Sequence, residues 1–135
     1  MHDVLAHRIR EGGFRATTPR LALLKFLEKS KRPQTILEIA SGLRAVDQVT
    51  VYRIVEAFAK AGIIRELDLR QGKRLYELAD PHDHHHVVCT GCGRIAEFTG
   101  CGVEEIEKKA LRQARGFTKI TAHAVELFGI CKTCV

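Results

Sequence analysis

Four of the five cysteines in this chain fall in two Cys-x-x-Cys pairs, Cys89/Cys92 and Cys131/Cys134, and this pattern narrows the possible folds most. A Cys-x-x-Cys turn offers two thiolates from one knuckle. Two such turns supply the four soft ligands that zinc takes in a tetrahedron, with Zn–S about 2.3 Å. The 38 residues between Cys92 and Cys131 exceed the usual ribbon spacing, so a small subdomain is expected to fold between the knuckles. A filled four-thiolate shell leaves no open coordination position, so the site reads as structural and not catalytic. Met1-His2-Asp3-Val4-Leu5 lacks the basic start and apolar stretch of a signal peptide, and no apolar run approaches the roughly 18 residues of a membrane span. The expected compartment is the cytoplasm, where such pairs hold metal before they form disulfides.

A second metal-binding pattern lies just upstream. His82-Asp83-His84-His85-His86 ends three residues before Cys89. On an extended strand alternate side chains face opposite sides. His84 and His86 would point one way, Asp83 and His85 the other, so one strand could feed two metal sites. Imidazole with carboxylate suits zinc, iron(II), nickel or manganese. The bland alternative is a solvated histidine cluster.

The first half reads as helices closing on a hairpin. Leu5 and Ile9 mark a short helix ended by Gly12-Gly13. Thr18-Pro19 opens a second, with Thr18 as cap and Leu21, Leu24 and Leu27 on one face. Thr35 and Glu38 form a capping box before the stripe Ile36, Ile39, Ala40 and Leu43. Asp47 is the expected cap of a fourth helix over 48–61, with Val51, Ile54, Val55 and Phe58 inward and Thr50, Arg53 and Lys60 outward. Alternating segments around 64–69 and 75–78 flank a basic turn, Arg70-Gln71-Gly72-Lys73. Together these form a winged helix-turn-helix, and Thr50, Tyr52 and Arg53, with Arg15, Thr17 and Arg20 upstream, are candidate DNA contacts. Residues 1–80 carry 15 Lys/Arg against 10 Asp/Glu, and residues 81–135 carry 7 against 6, so the basic excess sits where a polyanion would bind.

The expected architecture is α+β. A winged-helix DNA-binding domain spans 1–79, a hinge 80–82, and a small α/β metal-binding dimerisation domain 83–135. In the last, strands lead into Cys89 and run near 94–98, a helix covers 103–114 with Val103, Ile106, Ala110 and Ala114 inward, and a final strand spans about 118–128. A zinc hydrolase or deaminase would need an open metal position beside a carboxylate base, in a His-x-Glu…Cys-x-x-Cys or His-Glu-x-x-His arrangement, and neither occurs in the sequence. A metal buffer without DNA binding would not need the winged-helix pattern.

In order and combination, Thr18-Pro19-Arg20, Thr50-Val51-Tyr52-Arg53, His84-His85-His86-Val87-Val88-Cys89-x-x-Cys92-Gly93, Gly116-Phe117 and His123 through Cys131-x-x-Cys134 resemble the ferric uptake regulator superfamily. The resemblance implies a dimeric, metal-dependent repressor, not an enzyme, that binds an operator in double-stranded DNA. A zinc or iron sensor is the leading form and a peroxide or other-metal sensor the alternative. It implies structural zinc on Cys89, Cys92, Cys131 and Cys134. It implies a regulatory hinge site of Glu77, His84, His86 and Glu97, taking zinc or iron(II), with manganese possible. It implies a second site of Asp83, His85, Glu104 and His123, and DNA contacts from Arg15, Tyr52 and Arg53. The chain also departs from the family's pattern. Pro33 stands where iron-type members carry a histidine ligand, and His85 stands where they often carry aspartate. No cysteine occurs near the end of the wing. His82 and Cys101 are unmatched potential ligands.

Overall fold

The computed structural model describes residues 2–79, 84–100 and 102–135. They form two compact units, dividing at Ala79/Asp80. The proposed hinge, with Asp83 and His82, lies outside the described residues, as does Cys101.

The first unit contains α1 (His2–Glu11), α2 (Thr18–Lys29), α3 (Ile36–Gly42), α4 (Gln48–Lys60) and the strands β1 (Ile64–Leu67) and β2 (Leu75–Leu78). Its core is continuous: Leu5, Ile9, Leu23, Leu24, Leu27, Ile39, Val51, Val55 and Phe58 are all buried in one cluster. The expected inward face of α4, Val51, Ile54, Val55 and Phe58, is buried as the spacing predicts. Asp47 caps it, its carboxylate accepting from the Thr50 N–H at 2.7 Å.

Two details of α2 differ from expectation. The cap is Thr17, not Thr18, and it makes no side-chain cap hydrogen bond. Pro19 still sits in the first turn, where its missing N–H costs nothing. Leu23 takes the buried place expected of Leu21, which is only partly covered. β1 and β2 pair antiparallel in the register Ile64↔Leu78, Arg65↔Glu77, Glu66↔Tyr76 and Leu67↔Leu75. β1 stops at Leu67, two residues short of the expected end. The Asp68 carboxylate accepts from the Arg70 N–H at 3.0 Å, and Arg70 takes a positive φ of 59°. That local turn withdraws the backbone from the ladder.

The second unit contains β3 (His85–Cys89), β4 (Ile95–Phe98), α5 (Val103–Gln113) and β5 (Glu126–Gly129). The sheet order is β4-β3-β5, with β4 antiparallel and β5 parallel to β3. The expected strand over 118–128 is a correction. Only its last residues pair, because β3 offers partners from His86 to Cys89 and no further. Ile106, expected inward, is 64% exposed. Val88, Cys89 and Val103 are the buried hydrophobic residues among those described in this unit.

The capping box at α3 is fully formed. Glu38 N–H donates to Thr35 Oγ1 at 3.1 Å and Thr35 N–H to Glu38 Oε1 at 3.0 Å, while Arg32 pairs with the other carboxylate oxygen. The Arg32 hydrogen bond is the main reason the Glu38 carboxyl is held down to about 2 from 4.5. A depressed carboxyl stabilises the fold above its unfolded value and loses that contribution as pH falls through the folded one. We expect Thr35→Ala to cost about 1 kcal/mol. For Glu38→Gln, the deficit in thermal midpoint against the parent should be full at neutral pH and close between pH 4.5 and about 2. A deficit constant across that window would refute this assignment.

Candidate metal centres and DNA-facing surface

The cysteine site follows from the pairing of β3 with β5. Cys89 ends β3 opposite Gly129, two residues before Cys131. Thr90 N–H donates to the Gly129 carbonyl at 2.9 Å and fastens the knuckles to each other. Within the first knuckle Gly93 N–H donates to the Cys89 carbonyl at 2.8 Å; within the second Cys134 N–H donates to the Cys131 carbonyl at 3.0 Å. The four sulfurs lie within 4.8 Å of one another, and Cys92 Sγ is 3.7 Å from Cys131 Sγ. A regular tetrahedron with Zn–S of about 2.3 Å has edges of about 3.8 Å, so the sulfurs fit zinc. A Cβ on Gly91 would stand 3.1 Å from Cys134 Sγ, so the knuckle closes on space that a larger residue would fill.

Protons are unevenly held among these sulfurs. The Thr133 hydroxyl is the main cause that brings Cys131 down to about 6. Backbone N–H groups, that of Cys131 foremost, lower Cys89. Cys134 is pushed up to about 12, chiefly by its hydrogen bond to Cys131 and then those to Cys89 and Cys92. A thiol cluster of this kind shares protons until a divalent cation replaces them.

At the start of β3, His84 just before the strand, His86 on it and Glu97 on neighbouring β4 bring ligand atoms within 4.8 Å of one another. Glu97 is the antiparallel partner of His86 across β3 and β4, and the His84 and His86 rings meet edge-on at 5.4 Å. His86 is 1% exposed. Imidazole nitrogens plus a carboxylate form a borderline donor set, open to zinc, iron or manganese. Glu77 belongs to the first unit. It is buried on β2, directly across from Arg65, whose guanidinium pairs with its carboxylate.

His85 points to the other side of β3, as the alternation requires. Its ring lies 5.3 Å from that of His123 and 5.6 Å from that of Phe98. Its Nε2 is buried without a hydrogen-bond partner, an orphaned nitrogen that a metal could satisfy. The carboxylate set against His123 is Glu107, at 3.3 Å from Nδ1. Glu104 stands exposed one turn earlier on α5, and His85, Glu104 and His123 do not gather as a ligand trio among the described residues. The signal for Glu107 was its i+3 relation to Glu104, which puts both near one helix face.

In the first unit, Arg20, Thr50 and Arg53 line a shallow hollow of about 290 Å³ between α2 and α4, with Thr17, Pro19, Ile54 and Ala57. Arg53 is exposed, and Tyr52 is 41% exposed beside it. The Arg20 guanidinium lies over the Phe14 ring at 5.2 Å and donates to the Arg15 carbonyl at 3.0 Å. Arg20 therefore fixes the segment that presents exposed Arg15.

The sequence matches the ferric uptake regulator family over residues 11–128. It is 32% identical to the ferric uptake regulation protein of Legionella pneumophila, over 96% of this chain and 97% of that one. The solved ferric uptake regulator of Helicobacter pylori, described with three functional metal-binding sites, superposes with a TM-score of 0.81 at 25% identity, over 99% of this chain and 93% of that one. The Pseudomonas aeruginosa ferric uptake regulator with manganese gives a TM-score of 0.79 at 28% identity, over 96% and 98%.

Cys131→Ser should lower zinc content by about one per chain and unfold the second unit, because a small site-bearing unit takes folding energy from its metal. Gly91→Ala keeps all four sulfurs but crowds Cys134, so it should release zinc at lower chelator concentration than the parent. Zinc analysis during chelator titration reads both. Parent-like retention of zinc by Cys131→Ser would exclude the four-sulfur site.

Proposed function

The chain belongs to the ferric uptake regulator family, and from that premise we propose that this metal-responsive transcriptional regulator is a repressor whose operator affinity rises when a regulatory metal binds at His84, His86 and Glu97. The observation that carries this reading is the second donor cluster, formed where β3 begins and pairs with β4. It is chemically distinct from the four sulfurs at the end of the same strand. The cysteine site holds structural zinc and shapes the second unit. The imidazole–carboxylate site, which has no sulfur donor, takes zinc or iron(II), with manganese a third candidate.

Glu77 is the ligand we assign to the first unit. A metal held by Glu77 together with His84 and His86 would link wing to sensory segment and raise the population of the conformation that binds DNA. His85 and His123, with Asp83 and a carboxylate of α5, are assigned to the second site. Glu107 is better placed for it than Glu104, since it already faces His123.

The second unit also serves as the homodimer surface in this reading. Ile106, Phe117, Leu127 and Ile130 are 64%, 66%, 50% and 56% exposed, more apolar surface than so small a unit leaves to water without a partner. Two copies present two α4 helices to a near-palindromic operator. The compartment is the cytoplasm, where operator DNA lies; no helix among the described residues is long and apolar enough to cross a membrane.

His86→Ala should retain structural zinc and fold yet lose metal-stimulated operator binding. Arg53→Ala should cost roughly 1–3 kcal/mol with relaxed specificity if it reads a base. Arg15→Ala should weaken binding to all sequences and reduce the salt slope by about one if it neutralises one phosphate. The measurement is a salt titration of operator and scrambled DNA at saturating metal. If His86→Ala still answers to metal with an unchanged midpoint, the sensory site lies elsewhere.

A further inference from the structure

Within the first unit, one buried acid is already occupied by a cation. β1 and β2 pair so that Arg65 stands directly opposite Glu77. The guanidinium Nη2 donates to Glu77 Oε1. Glu77 is 8% exposed, so its charge needs a counter-charge to remain in place. Glu66 on β1, Tyr76 opposite it on β2 and Arg74 just before β2 form a separate group. Tyr76 Oη donates to Glu66 at 3.0 Å, and Arg74 approaches Glu66 at 3.7 Å. Side chains alternate across a sheet, so the Arg65–Glu77 pair is not shared with that group.

We propose that Arg65 is a resident counter-cation on Glu77 that a regulatory metal must overcome, so that this guanidinium sets the metal concentration at which the chain responds. The inference rests on the reading of Glu77 as a regulatory ligand. Three features support competition over a purely structural pin. First, the pair is imperfectly compensated: Arg65 Nε is buried without a hydrogen-bond partner. A guanidinium held to its acid through part of its donor fork is less firmly bound than a two-point pair. Second, arginine stays charged across the working pH range, so it cannot make way by losing a proton. A divalent cation reaching Glu77 meets a fixed positive charge. Third, no other residue of this unit is assigned to the metal. Glu77 is then the first unit's assigned route to the metal, and whatever holds Glu77 gates that route.

Without regulatory metal, the carboxylate belongs to Arg65 and the hairpin. With metal, it is shared or surrendered, and the guanidinium loses attraction. The opposite possibility is an orienting partner, because hydrogen bonds to a ligating carboxylate commonly strengthen metal binding. The two predict opposite signs.

The test uses full-length dimer with its structural zinc in place. Cobalt(II) is titrated and read by its visible absorption, and operator binding is measured against buffered free metal. Arg65→Gln should tighten cobalt binding and shift the operator midpoint to lower metal by roughly five- to tenfold, the scale of a partly buried charge pair. Arg65→Met keeps the apolar stem, guards against a folding defect, and should act in the same direction. Arg65→Lys keeps the charge and should stay near the parent. Glu77→Gln should weaken cobalt binding, and adding Arg65→Gln to it should change nothing more. Unchanged or weaker binding in both Arg65→Gln and Arg65→Met, with Glu77→Gln weakened, overturns the competition. Parent-like cobalt binding by Glu77→Gln overturns instead the assignment of Glu77 as a ligand.

Discussion

The second unit depends on the parallel pairing of β3 with β5. That pairing places Gly129 beside Cys89 and so carries Cys131 to the end of the first knuckle, where its N–H reaches Cys89 Sγ at 3.3 Å. Val88, Cys89 and Val103 cannot form a core of ordinary size, and a unit of some 55 residues is marginal even with one. Four sulfurs at tetrahedral spacing replace the missing core with a point of closure. The first unit needs no such device, because its helices bury a continuous cluster from Leu5 to Tyr76.

Much of this was legible in the sequence, for identifiable reasons. The α4 pattern survives intact because all four of its apolar positions face one core, and a 3.6-residue period reads such a face directly. The Thr35/Glu38 box is legible because its chemistry is local. Misreadings occur where the outcome depends on distant partners. Thr118 to Val125 has apolar and β-branched residues suited to a strand, but the neighbour that would pair with them is absent among the described residues. Ile106 fits the inward stripe of a helix, yet its face finds nothing to cover it within one chain. Glu104 and Glu107 are equivalent to any rule of spacing, and only the position of His123 separates them.

β3 shows how little sequence is needed to specify several sites. Five residues alternate between its faces, so His86 meets Glu97 on one side while His85 meets His123 and Phe98 on the other, and Cys89 closes the end. The same period that builds a sheet sorts imidazoles from one another at no extra cost in chain length. Antiparallel β4 supplies the carboxylate and parallel β5 leads to the thiolates, so each neighbour of β3 brings a different chemistry. A one-residue slip of register would exchange the two faces, and the buried, orphaned His85 Nε2 would be aimed to the side that His86 occupies.

The net charge of the first unit understates its appeal to a polyanion. Several of its acids are spent within the fold: Glu38 on Arg32 and the α3 cap, Asp47 on the α4 cap, Glu66 on Tyr76 and Arg74, and Glu77 on Arg65. The bases they neutralise lie mostly along the wing and before α3. Asp47 stands close enough to feel Arg53, yet its carboxylate is committed first to the Thr50 hydroxyl and then to the Thr50 N–H. Arg53 and Arg15 are exposed, and Arg20 is anchored on Phe14 in a way that holds Arg15's segment in place. The distribution would suit a phosphate backbone: acids inside caps and cross-strand pairs, arginines left to solvent ahead of α2 and on the outer face of α4. An equal excess of charge scattered over both faces would attract DNA weakly and in no fixed orientation. Here the exposed arginines and Tyr52 share the outer side of one helix and the segment ahead of its neighbour, so on the proposed DNA-contact role attraction and orientation would come from the same residues.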